Sequence, residues 1–136
     1  MADRSTLALA LKILETPDLL LRRAWTLAED DVTLISAGET SAISLTRLDR
    51  RNVVDYELRI GSGNGPWSGI VTDGELRAYN EDAFVVLEDL YDRIRSKATG
   101  TDIIAQSIAK ELGVDLESSF AAIREADLKR QSEVPF

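Results

Sequence analysis

Carboxylates are the side chains of this sequence best suited to chemistry. Glu81, Asp82, Glu88, Asp89 and Asp92 crowd into one stretch. On a helix Glu88 and Asp92, four residues apart, share a face, with Asp89 on the neighbouring row. Acidic helical rows of this kind bind Mg²⁺ in enzymes that cut nucleoside triphosphates. Such a site needs a second acidic pair aimed at the same spot. Asp102, Glu111, Asp115 and Glu117 are available to supply one, but their spacing does not bring them there. The plainer expectation is the solvated face of an amphipathic helix, and no catalytic residue, metal ligand or cofactor is assigned. A Mg²⁺-dependent carboxylate enzyme on the Glu81–Asp92 helix, or a small-ligand binder with a pocket near Trp67 and Tyr79, stands as the alternative reading.

Missing residue types narrow the chemistry further. The 136 residues include no histidine and no cysteine. That removes the usual serine or cysteine triad, imidazole metal ligands, zinc–thiolate sites and disulfides. No serine sits in a G-x-S-x-G elbow or an S-x-x-K pair. The four lysines have no apolar run around them that would depress a pKa. The glycine-rich run Gly61-Ser62-Gly63-Asn64-Gly65-Pro66 invites a phosphate site, but a phosphate-binding loop needs a helix to follow it. Here a strand follows, starting at Trp67, so the run is expected to be a hairpin loop beside that tryptophan.

Two basic or DNA-like features remain. Arg47, Arg50 and Arg51 surround the turn Asp49–Asn52 and form the one local positive cluster outside helix ends, suited to gripping a carboxylate or phosphate bidentately. The segment Ile108-Ala109-Lys110-Glu111-Leu112-Gly113-Val114-Asp115 resembles the centre of a bacterial helix-turn-helix, within a stretch from Ile104 to Ile123. The resemblance implies a recognition helix over Leu116–Ala122, yet that helix carries Glu117 and no basic residue, where DNA readers place Arg or Lys. With 24 acidic against 16 basic side chains and a formal charge of −8, nucleic acid is not the expected partner.

The elements that must position these residues follow from periodicity. Ser5 can cap a helix over Thr6–Glu15, in which Leu7, Leu9, Leu11, Ile13 and Leu14 leave almost no polar face. Thr16-Pro17 then opens a second helix to about Glu29; the alternative is a strand through Ala24–Ala28. From Val32 the pattern alternates. Strands are expected over Val32–Ala37, Ser41–Leu48 and Val53–Ile60, the last with Val54, Tyr56, Leu58 and Ile60 on one face. Two more, Trp67–Thr72 and Glu75–Tyr79, are joined by Asp73-Gly74 as a two-residue hairpin turn. Asn80 can cap a helix over Glu81–Ala98 that ends at Gly100. Asp102–Leu112 is a shorter helix burying Ile104, Ile108 and Leu112, and Asp115 caps a last one holding Leu116, Phe120 and Ile123.

The fold class is therefore α+β: N-terminal helices, a five-stranded antiparallel meander sheet, then two to three C-terminal helices. Residues 1–129 form one domain and 130–136 a frayed tail. No apolar run is long enough to span a membrane. Asp3 and Glu15 flank the apolar stretch Leu7–Leu14 and no small-residue cleavage site follows it, so the expected location is cytoplasmic. The functional expectation is a non-catalytic protein–protein interaction module, such as a small acidic adaptor, chaperone, immunity protein, antitoxin or inhibitor, that binds a basic protein partner. In broad recipe it is similar to small acidic bacterial secretion chaperones, which flank a twisted sheet with helices in a dimer. Leu7, Leu11 and Leu14 on the first helix, Arg47, Arg50, Arg51 and Trp67 are the expected partner-binding residues. A helix apolar all round needs a second body to cover it, so a homodimer is expected.

Overall fold

The computed structural model describes residues 3–63 and 66–133. Two helices, α1 (Arg4–Glu15) and α2 (Asp18–Leu21), lead into strands β1 (Thr26–Leu27), β2 (Thr33–Ala37), β3 (Ser41–Arg50), β4 (Val53–Ser62) and β5 (Trp67–Thr72). Helices α3 (Asp73–Leu76), α4 (Ala83–Thr99), α5 (Thr101–Leu112) and α6 (Glu117–Glu133) complete the chain. The sheet is an antiparallel meander in the order β1-β2-β3-β4-β5. The expected α+β architecture is the observed one, although one strand differs from the expectation.

That difference lies at Asp73-Gly74, which is not a hairpin turn. The Thr72 hydroxyl accepts from the Glu75 N–H at 3.2 Å, and the Glu75 carboxylate accepts from the Thr72 N–H at 3.3 Å. This reciprocal capping box starts α3 where a strand over Glu75–Tyr79 was expected. The two-residue turn with positive φ sits instead at Arg51 (47°) and Asn52 (70°), closing the β3–β4 hairpin at the Arg50–Val53 pair. The fifth strand is β1, because the second helix stops at Leu21 and Thr26 pairs with Ile35. Trp25 helps to end that helix: its indole N–H donates to the Leu20 carbonyl at 2.7 Å. Asp3, not Ser5, caps α1 through its carboxylate and the Thr6 N–H.

The apolar face of the sheet carries Leu34, Ile43, Leu45, Tyr56, Leu58 and Val71. Helix α1 lies over β5, and α4 lies over β1 to β4. Ala10, Ile13 and Leu14 of α1 and Leu87, Leu90, Tyr91 and Ile94 of α4 close the core. The α1–β5 crossing is tight at Gly69, where an added Cβ would overlap the Thr6 side chain and meet Ile60 at 3.0 Å. Asp73 fixes the other end of β4 by accepting from the Tyr56 N–H at 2.8 Å, just past the last β4–β5 pair, Glu57–Thr72. Tyr91 donates to the Val32 carbonyl at 2.7 Å and Arg95 to the Asp31 carbonyl at 2.6 Å, so α4 is clasped to the loop before β2. Helix α6 reaches Glu133, beyond the expected end at Lys129. Residues 134–136 lie outside the described residues.

Candidate functional site

The acidic row of α4 lies in the field of guanidinium groups from β3, α4 and α6. Helix α6 packs on the side of α4 turned away from the sheet. Arg93 stands 4.5 Å from the Phe120 ring centroid and 3.3 Å from the Glu117 carboxylate, which fastens the two helices together. Asp89 is half-buried at this junction; desolvation raises its pKa, opposed by Arg93 and Arg124. Glu88 shifts the same way, from desolvation and the neighbouring Asp92, against Arg47 and Arg130. Asp92 follows for the same cause, opposed by Arg47 and Arg95, although it stays open to solvent. Glu81 and Asp82 are exposed at the start of the helix. Among the described residues no group of three or more acidic side chains is arranged to hold a metal ion. Among the described residues the carboxylates of α4 stand among arginine charges without a second acidic pair converging on them; the side chain of Asp102 lies outside the described ones.

The helix-turn-helix-like segment is a corner between α5 and α6, with Gly113 at φ 71° and Asp115 accepting from the Glu117 N–H at 3.1 Å. Glu117 and Phe120, at the start of the would-be recognition helix, are both spent on Arg93. The arginine cluster is split. Arg47 and Tyr56 are register partners on the core side of the sheet, and Arg47 lies 3.6 Å from Asp49. Arg50 and Arg51 are exposed at the hairpin end. Trp67 is half-buried opposite Gly61 at a β-bulge, where a Cβ on Gly61 would come within 2.7 Å of the Pro66 carbonyl. The glycine-rich run joins two strands as expected; Asn64 and Gly65 lie outside the described residues.

Helix α1 divides the residues expected to bind a partner. Leu14 is core, whereas Leu7 and Leu11 are half-buried against it. Leu7 and Leu11 also line a groove of about 550 Å³ with Ala78 and the exposed Tyr79. On the other flank of α1, Leu9 and Ile13 line a second cleft, of about 470 Å³, which α2 and the sheet complete. The first helix is therefore a ridge seated in its own domain and bordered by two open grooves.

Among the described residues, exposed aliphatic side chains concentrate on α5, where the sequence had suggested burial. Ile104, Ile108 and Leu112 are 64%, 51% and 70% exposed, and Ile103 is open beside them. Among the residues of α5 whose side chains are described, only Ala109 is buried. Val114 past its end and Ile123 on α6 are also exposed. The expectation that Ile104, Ile108 and Leu112 face the core is thus corrected, because α1 and α4 already occupy the apolar face of the sheet.

The chain matches no protein-family profile, no curated protein and no solved structure. What defines it is its own geometry: an α+β domain carrying a mostly uncovered aliphatic helix and, among the described residues, no helix long and apolar enough to cross a membrane.

Proposed function

We propose that this protein is a non-catalytic protein-interaction module that docks through α5 rather than α1. One observation carries the reading: the row Ile104, Ile108 and Leu112 stands in solvent on a helix of 12 residues. An isolated helix of this length is marginal in water, and most helices are stabilised by burying an apolar face. Ile103 and Val114 are exposed beside this row and extend the open aliphatic surface, of the kind that marks interaction sites. A polar rim would bring it toward the roughly 800 Å² per partner of a stable interface.

The first occupant proposed is a second copy of the chain. Two such rows crossing at a twofold axis make a self-complementary contact, as homodimers require. The negative field then points to a basic protein as the dimer's client, because residues 69–136 hold 14 acidic against 8 basic side chains, whereas residues 1–68 hold 10 against 8. An adaptor, chaperone, immunity or inhibitor role in the cytoplasm accompanies this reading.

The test is light scattering on the whole protein and on the double variant Ile104→Asp, Ile108→Asp. A dimer at micromolar concentration that becomes a monomer in the variant, with its near-ultraviolet circular dichroism unchanged, supports the reading. A wild-type monomer at that concentration overturns the homodimer, and a variant that remains a dimer removes α5 as the interface.

A further inference from the structure

The cleft between α1, α2 and the sheet has a chemistry of its own, independent of α5. Its walls are aliphatic: Leu9 and Ile13 from α1, Leu19 and Leu20 from α2, and Ile43 and Ile60 from the sheet. Arg23 joins the lining and is held from behind. Its Nε donates to the Ser36 hydroxyl at 2.8 Å, and Nη2 lies 3.5 Å from the Ser36 carbonyl. Ser36 is itself buried, on the apolar face of β2 opposite Ile43. Among the described residues no carboxylate lies within 4.0 Å of this guanidinium, in a chain with 24 acidic side chains.

An aliphatic cleft of about 470 Å³ falls in the range of small-molecule sites, where apolar walls supply contact and a few fixed polar groups set orientation. An anchored, unpaired guanidinium is the polar group that selects a carboxylate, since its planar donors match the two oxygens. We infer that the cleft binds an amphipathic monocarboxylate, a medium-chain fatty acid, with the alkyl chain along Leu9, Leu19 and Ile60 and the carboxylate on Arg23. Charge complementarity decides the headgroup: the cation has no acidic partner among the described residues, and a neutral apolar ligand would leave it so.

Calorimetric titration of the intact protein with decanoate, below its micelle concentration, tests the site against decanol as the uncharged control. The expected result is saturable binding of one decanoate per chain, with decanol about tenfold weaker or worse, the usual penalty for losing a hydrogen bond to a charged group. Binding also shifts the indole N–H resonance of Trp25, which is bonded to Leu20 of the cleft wall. Arg23→Gln keeps a donor for Ser36 and brings decanoate down to the affinity of decanol. Leu19→Gln, at an exposed position of the wall, weakens both ligands. Equal binding of decanoate and decanol, decanoate affinity unchanged in Arg23→Gln, or no saturable binding at all overturns the proposal. The dimer readout of α5 is separate, so either result stands without the other.

Discussion

Two helices that meet at Gly100 carry comparable aliphatic stripes and meet opposite fates. Helix α4 buries Ala83, Val85, Val86, Leu87, Leu90, Tyr91 and Ile94, while α5 leaves Ile103, Ile104, Ile108 and Leu112 in solvent. The cause is the supply of surface to cover, not the sequence of either helix. A five-stranded sheet with one apolar face has room for two helices, and α1 over β5 with α4 over β1 to β4 uses that room. Helix α6 takes the outer side of α4 through Arg93 and Phe120. An apolar stripe states that something must cover it; the rest of the fold decides whether the cover is intramolecular.

Truncating one residue in each helix is the sharpest way to break this contrast. Leu90→Ala, in the filled core, is expected to cost about 2–5 kcal/mol in urea unfolding. Ile108→Ala, measured on protein dilute enough to be monomeric, should stay within about 0.5 kcal/mol of wild type. Equal losses would mean that α5 contributes to the same core. The crowding that excludes α5 from the sheet is tested at Gly69. Gly69→Ala should cost about 1–3 kcal/mol by overpacking α1 against β5. Thr6→Ala in the same chain should recover part of this, since the Thr6 hydroxyl oxygen is the atom nearest the added methyl. No recovery would mean that α1 is pinned at another point.

How far the sequence revealed this arrangement depended on whether the signal was local. The alternation Val54, Tyr56, Leu58, Ile60 specified both a strand and its inward face, and Gly100 and Gly113 marked helix ends with positive φ. Asp73-Gly74 misled because the dipeptide suits a hairpin turn, while Thr72 and Glu75, a capping pair three residues apart, decided for a helix. The hairpin turn at Arg51-Asn52 falls inside the expected turn Asp49–Asn52, although an arginine, which disfavours positive φ, gave no sign of which two residues would carry it. The short pairing of Thr26 with Ile35 is the alternative strand through Ala24–Ala28; the local pattern fitted a longer second helix as well, and only the pairing with β2 decides between them. The exposure of Ile104, Ile108 and Leu112 is a property of the whole layer arrangement, so no window of residues carries it. Arg23 and Ser36, which shape the cleft, are 13 residues apart and share no motif.

The junction between α4 and α6 gives the contrast a pH dependence. Burial raises the pKa of Asp73, Glu88 and Asp89 above ordinary values of 3.8, 4.5 and 3.8. Each of these carboxyls binds its proton more tightly in the folded chain than in the unfolded one. Their contribution is therefore fully present below the ordinary carboxylate range and is lost as the pH rises through the raised values. Asp3 and Asp30 have lowered pKa values, through hydrogen bonds from Thr6 and Thr33, and act the opposite way, only below 3.8. Thermal melts should accordingly show greater stability near pH 5 than near pH 7, with relief of the −8 charge adding in the same direction. Asp89→Asn should flatten this slope. A slope unchanged in that variant would remove Asp89 from the effect and leave it to Asp73, Glu88 and the net charge.

The smallest expected effect lies at the hairpin that carries Arg47 and Tyr56 beneath α4. Arg51 holds φ at 47° with an exposed side chain, and no hydrogen bond or ion pair from that side chain is found among the described residues to offset the strain. Asparagine tolerates this conformation better, because its short polar side chain bonds locally in left-handed turns. Arg51→Asn should therefore stabilise the domain by a few tenths to about 1 kcal/mol, in line with other backbone-compatible replacements. The gain belongs to the sheet and α4, since the turn closes β3 on β4; hydrogen exchange should slow for amides of those elements and stay unchanged for α5. Slowing in α5 as well would mean that α5 opens only with the core, and the two helices would then be one cooperative unit despite their different burial.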